Sequence, residues 1–284
     1  GTGEVRFEAP QITPESTATK PSEVYKPGAT LDRTLEYGGK TVPIYRDRPL
    51  NVFSDVDFIW TGEENENQRR LEYLGGEFRT RYGIDVSSFQ GEIDWDAVAD
   101  DNIDFAMVRV GFRGTGTGSL NTDKYYEQNI RGAMRAGLET GVYFFAQAVT
   151  VEEAIEEADY VISLLDGLDI NGPVAYDWEM HDSTYRVYGT SPEMATACAV
   201  AFCERIKDAG YTPMVYGGTY VTYMKYDQGA LADYLSWYPE YKSEKSEKLC
   251  PTLVYHMDYW QFSSSRAVAG INGRVDMNIQ FIRR

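Results

Sequence analysis

From Arg81 onward, short continuous apolar runs alternate with amphipathic segments, and this alternation most limits what the chain can fold into. Residues 82–86, 105–110, 141–146, 173–179, 213–216, 234–237 and 254–262 read as strands. Residues 95–99 and 123–136 read as helices between them. Thr150 with Glu153 spells a capping box, and Val151, Ala154, Ile155, Ala158, Val161, Ile162 and Leu165 follow at helical spacing. Ser191-Pro192 supplies an N-cap and a proline at the first helical position, ahead of an apolar face of Ala195, Cys198, Ala199, Phe202, Ile206 and Ala209. Continuous apolar strands separated by helices belong to a parallel sheet covered on both faces. Strand centres at Ile84, Val108, Tyr143, Ala175, Val215, Leu235 and Tyr259 leave an eighth to be found near residue 254. That count favours an α/β fold closed into an irregular, TIM-like β/α barrel over an open sheet. No GxGxxG follows the first strand, and no Lys-Ser/Thr follows the glycines of residues 111–118, so a phosphate loop is not indicated.

The first part of the chain lacks this rhythm. Residues 1–24, rich in Pro, Thr, Ser and Glu, read as a linker or stalk. Residues 25–80 read as a small N-terminal extension packed on the barrel of residues 81–284. In it, Tyr37-Gly38-Gly39-Lys40-Thr41-Val42-Pro43-Ile44-Tyr45 predicts a hairpin, and residues 63–77 a short helix with Leu71 and Leu74 on one side. Residues 242–248 alternate Lys, Ser and Glu and predict a solvated loop.

Composition removes several function classes. The net charge of −17 argues against nucleic acid and anionic membrane surfaces as partners. No apolar run approaches the roughly 20 residues of a membrane span. The chain begins Gly1-Thr2-Gly3, so the lack of a visible signal peptide says little about export. Cys198, Cys203 and Cys250 are read as buried free thiols, with a Cys203–Cys250 bond as the alternative. With only His181 and His256 and no CxxC, neither a metal site nor a cofactor is expected. The 22 Tyr, 12 Phe and 5 Trp suit carbohydrate, because sugar C–H faces stack on aromatic rings.

The chemistry collects in Pro173-Val174-Ala175-Tyr176-Asp177-Trp178-Glu179. Alternation along a strand puts Asp177 and Glu179 on one side, roughly 7 Å apart. Two acids together at the end of a buried strand are costly unless they serve chemistry. The alternative reading of this segment alone is a helix cap and a surface acid. Functional groups of β/α barrels sit at the strand C-terminal ends, and those ends also carry Asp85, Tyr143, Tyr216, Trp237, Tyr238, Trp260 and Gln261. Any one aromatic there is more often packing than ligand contact. Acids and aromatics recurring over five or six strands are harder to ascribe to packing.

Gly83-Ile84-Asp85-Val86-Ser87-Ser88-Phe89-Gln90-Gly91 with Ile93-Asp94-Trp95 resembles the opening of the glycoside hydrolase family 25 lysozymes. Asp177-Trp178-Glu179 is similar to that family's Asp-x-Glu. Trp260-Gln261-Phe262-Ser263-Ser264, Gly270-Ile271 and Val275-Asp276-Met277-Asn278 resemble its C-terminal signature. The resemblance spans residues 82–284 and leaves out residues 1–80. It implies a modified β/α barrel that cleaves the β-1,4 bond between N-acetylmuramic acid and N-acetylglucosamine in peptidoglycan. Glu179 is then the proton donor, with Asp177, Asp85 and Asp276 as the other acids of the groove. Tyr143, Tyr216, Trp237, Tyr238, Trp260 and Gln261 are then expected along the sugar sites. Phe144 stands where the family often has His, and because it alternates away from Tyr143 its effect is expected on packing. The Asp-x-Glu pattern also resembles enzymes whose substrate acetamido group is the nucleophile. The alternatives are a barrel that binds wall glycans without cutting them and a glycosidase of chitin-like polymers. Peptidoglycan as partner implies action outside the cytoplasm or at the cell surface, by a protein expected to be monomeric.

Overall fold

The computed structural model describes residues 18–62 and 68–284. The chain enters through one helical turn, α1 (Pro21–Val24), then a hairpin of β1 (Leu31–Tyr37) and β2 (Lys40–Tyr45). Gly38 and Gly39 turn it with φ of 56° and 75°, a left-handed pair that a side chain would strain. A second antiparallel pair follows, β3 (Phe58–Thr61) with β4 (Arg70–Tyr73). Phe58 inserts between Trp260 and Phe281, and Leu71 is fully buried, so this pair closes one side of the barrel.

The remaining elements are β5 (Phe78–Val86), α2 (Trp95–Asp100), β6 (Phe105–Arg113), β7 (Leu120–Thr122), α3 (Tyr126–Arg135), β8 (Glu139–Ala146) and α4 (Val151–Leu164). Then come β9 (Val174–Trp178), α5 (Pro192–Asp208), β10 (Pro213–Tyr216), α6 (Thr219–Met224), β11 (Leu235–Pro239), β12 (Tyr259–Arg266) and β13 (Val275–Arg283). Strands pair in the order β5-β13-β12-β11-β10-β9-β8-β6, and β6 pairs back to β5 to close the barrel. Only β13 among these runs antiparallel to its neighbours.

Alternation divides the apolar side chains into two cores. Phe105, Met107, Ala175, Met214, Tyr216, Trp237 and Tyr259 fill the barrel interior. Val108, Val142, Phe144, Tyr176 and Trp178 point outward into a larger core beneath the helices. Phe144 lies against Tyr160 there, in keeping with a packing role. Burying each such side chain contributes about 1.5–3 kcal/mol. In α5 the buried positions run almost without a break from Ala195 to Cys203, so it is a core helix.

Several expectations need correction. The eighth strand is β13, and residues 254–258 precede β12 as irregular chain. Residues 70–73 form a strand in place of the expected helix, because Leu71 alone faces the core and Leu74 is exposed; residues 63–67 lie outside the described residues, as do 1–17. Ile155 and Ala209 face solvent. Thr150 Oγ1 accepts from the Glu153 N–H, but Glu153 Oε2 takes the N–H of Val149 where a capping box would use that of Thr150. Lys242 is buried in its loop by an ion pair with Glu240 at 2.6 Å. All three cysteines are buried and unbonded to one another.

Candidate active site

Asp85 and Asp177 each lie one residue from the end of their strands, β5 and β9, and Glu179 follows β9. Asp276 stands near the start of β13, which reaches the same rim because it runs antiparallel; it pairs in register with Asp85. The four carboxyls line one cleft of about 370 Å³ with Arg109, Tyr143, Tyr216, Trp237 and Gln261. Of the residues named from sequence, the structure brings these together except two. Tyr238 and Trp260 do not reach the cleft. Each follows or precedes an inward neighbour, Trp237 and Gln261, and so points outward. Tyr238 meets Thr219 at 2.7 Å, and the Trp260 indole donates to the Glu240 carbonyl at 3.0 Å.

The floor is a hydrogen-bonded lattice. Asp85 Oδ2 accepts from Asn278 Nδ2 and Gln261 Nε2, each at 2.8 Å. Asn278 Oδ1 in turn accepts from the Trp237 indole at 2.8 Å, and Gln261 Oε1 accepts from the hydroxyls of Tyr216 and Tyr241 at 3.1 Å. Gln261 therefore serves as a hub that joins acids to aromatics. Trp237 stands edge-on to Tyr143 and Tyr216, with ring centroids 5.8 and 4.9 Å away.

Burial dominates the electrostatics. It pushes the Asp85 carboxyl well above its usual range, Asp276 adds to this, and the Asn278 and Gln261 hydrogen bonds oppose it. Burial also raises Asp177 well above its usual range, reinforced by Glu179 and then Asp85, while Arg109 pulls it down. Asp276 is pushed up to about 6, by burial and by the charge of Glu179, against a hydrogen bond with Asp85. One Asp177 oxygen, Oδ1, is buried without a hydrogen-bond partner. Glu179 is more open, and its Oε2 lies 2.9 Å from His181 Nε2.

Arg109, Phe145, Tyr241 and His181 also line the cleft, beyond the residues expected from the sequence. Three of them were within reach of the alternation rule: Phe145 is two residues past Tyr143, His181 two past Glu179, and Arg109 two past the inward Met107. Arg109 is anchored by Asp123 at 2.8 Å and lies 5.2 Å from the ring centroid of Phe89, an exposed aromatic at the rim. A second hollow of about 320 Å³ shares Glu179, His181, Tyr216 and Tyr241 with the cleft and continues along Tyr220. No group of three or more His, Cys, Asp or Glu with metal-holding geometry occurs among the described residues.

Clustered carboxyls and aromatics at the rim of a closed β/α barrel define the class, a barrel glycosidase. Residues 84–271 match Glycosyl hydrolases family 25, and the chain belongs to that family. It is 26% identical over 197 residues to an autolytic lysozyme of Clostridium acetobutylicum, covering 69% of this chain and 54% of that protein. It is 27% identical over 201 residues to lysozyme M1 of Streptomyces globisporus, covering 69% and 66%. This chain thus spans between about half and two thirds of the length of those relatives. The crystal structure of a bacterial lysozyme from Streptomyces coelicolor superposes with a TM-score of 0.56 at 25% identity, covering 70% of this chain and 90% of that one.

Proposed function

We propose that this chain is a peptidoglycan hydrolase that cleaves the β-1,4 bond between N-acetylmuramic acid and N-acetylglucosamine. The observation that carries the reading is the Asp177–Glu179 pair above a floor of acids and aromatic edges, with Glu179 standing where two hollows meet. A glycan laid along both hollows has its scissile bond at Glu179. The similarity to proteins described as lysozymes favours peptidoglycan over chitin-like polymers as the substrate.

The pair holds a proton because burial and Glu179 together disfavour ionised Asp177. Asp177 Oδ1 has an unused acceptor position. A substrate acetamido N–H donating to it stabilises the Asp177 carboxylate and releases the proton to Glu179. Glu179 then protonates the glycosidic oxygen as the bond to C1 breaks. The acetamido carbonyl oxygen forms a bond to C1, and Asp177 balances the positive charge of the resulting oxazolinium ring. Glu179, now a carboxylate, takes a proton from the water that opens the ring, which restores the starting state. Two displacements at C1 retain its configuration. Asp85 and Asp276, both held by the Gln261 amide, fix sugar hydroxyls beneath, and Trp237, Tyr143 and Tyr216 pack against the ring.

Peptidoglycan as substrate puts the site of action outside the cytoplasm or at the cell surface, with the protein acting as a monomer. Among the described residues no helix is long and apolar enough to cross a membrane. The test is Glu179→Gln on purified peptidoglycan: the variant keeps its circular dichroism spectrum and loses the release of reducing ends. Undiminished release would rule the assignment out.

A further inference from the structure

We infer that Gln147 is a positioning residue for Glu179, clamped from behind the barrel wall by Glu157 and Arg186. This rests on Glu179 being the proton donor. Glu179 lies just beyond the end of β9. Its carbonyl oxygen is held by Gln147, fully buried, whose Nε2 donates to it at 2.8 Å. Parallel pairing of Ala146 with Trp178 brings the two residues side by side.

Gln147 is itself held on both sides of its own peptide. Its N–H donates to Glu157 Oε1 at 3.0 Å, and its carbonyl accepts from Arg186 Nη1 at 2.8 Å. Glu157 is fully buried on α4 and takes a second hydrogen bond from Arg113 Nε at 2.7 Å. Arg186 is fixed by both oxygens of Glu153, at 2.7 and 2.9 Å. Two ion pairs thus converge on one glutamine outside the cleft lining, and that glutamine makes a single contact with the acid's backbone. Buried charge is costly to arrange, and here its output is the height of one carbonyl at the rim.

The amide is the group this task requires. A glutamate at residue 147 would set a carboxylate against the carbonyl oxygen, and an aliphatic side chain would leave that carbonyl without its donor. Freed of the contact, the Glu179 peptide can turn, which changes its distance to Asp177 and to the glycosidic oxygen. A displacement of about 1 Å from productive geometry costs on the order of 100-fold in rate.

Gln147→Met keeps the length and removes the donor. With a soluble glycan substrate we expect kcat to fall about 10- to 100-fold while KM stays within about 2-fold. The pH profile of kcat should also move, because the Asp177–Glu179 coupling depends on their separation. A purely structural role would lower the melting temperature while leaving kcat of the folded protein and its pH profile where they were, and that result overturns the inference. If Gln147→Met does not fold, Arg186→Gln decides. Loss of kcat at unchanged KM supports the clamp, and unchanged kcat overturns it. Glu179→Gln in the same assay separates the two claims: if it stays active the proton-donor role fails, whereas an inactive Glu179→Gln beside a fully active Gln147→Met refutes the positioning role alone.

Discussion

At the scale of single residues, the Asp177 and Glu179 carboxyls differ in what surrounds them. Asp177 is buried with one unpartnered oxygen, while Glu179 is open to the second hollow and touches His181. Under the proposed mechanism, this asymmetry suits acetamido orientation by Asp177 and proton transfer by Glu179. Asp177→Asn should keep the proton-donor geometry and lose the charge that balances the oxazolinium, so kcat falls about 10²–10³-fold with KM little changed. Steady-state kinetics on a soluble glycan check this, and a kcat within a few-fold of wild type contradicts it. Asp177 and Glu179 are legible in the sequence because alternation at a strand end puts them on one side. Tyr238 and Trp260 were misplaced although the same rule applied to them. Once Trp237 and Gln261 are taken as inward, their neighbours must face outward.

Among the elements, β13 departs furthest from expectation. A β/α reading looks for catalytic groups at strand C-terminal ends, yet Asp276 stands near the N-terminal end of its strand. The reversed direction of β13 brings that end to the rim, in register with Asp85. Strand direction is set by the short connection from β12 and by tertiary pairing, neither of which leaves a hydrophobic period to read. Gly270 is part of that connection. Its φ is +84°, its carbonyl accepts the Asp94 N–H at 2.9 Å, and a Cβ there would lie 2.2 Å from the Asp94 carbonyl oxygen. Gly270→Ala should therefore lower stability by about 1–3 kcal/mol. Urea unfolding measures this, and a midpoint equal to wild type would mean that the connection yields freely. The sequence marked Gly270 as part of a motif, but its physical reason lies in a contact with residue 94 that no local pattern reveals.

Across the whole molecule, two buried acids, Asp85 and Asp177, and the half-buried Asp276 at the same rim tie stability to pH. Asp276, with its pKa near 6, binds a proton in the folded state at pH values where the unfolded chain has already lost it. The folded state therefore holds more protons between roughly pH 4 and 6, and stability falls as pH rises through that window. Asp85 and Asp177 act in the same direction and extend the fall upward. Melting temperature should thus decline from about pH 5 to pH 7, and the decline should be shallower in Asp276→Asn. Equal slopes in the two proteins would show that Asp276 does not bear this charge burden. Cleavage of peptidoglycan after N-acetylmuramic acid with Glu179 as acid is tested by its products. Purified peptidoglycan is digested and the products are reduced with borohydride and weighed by mass spectrometry, with Glu179→Gln as the control. Fragments ending in reduced N-acetylmuramic acid are expected from the wild type and none from the variant. Fragments ending in reduced N-acetylglucosamine, or equal release from both proteins, would contradict it.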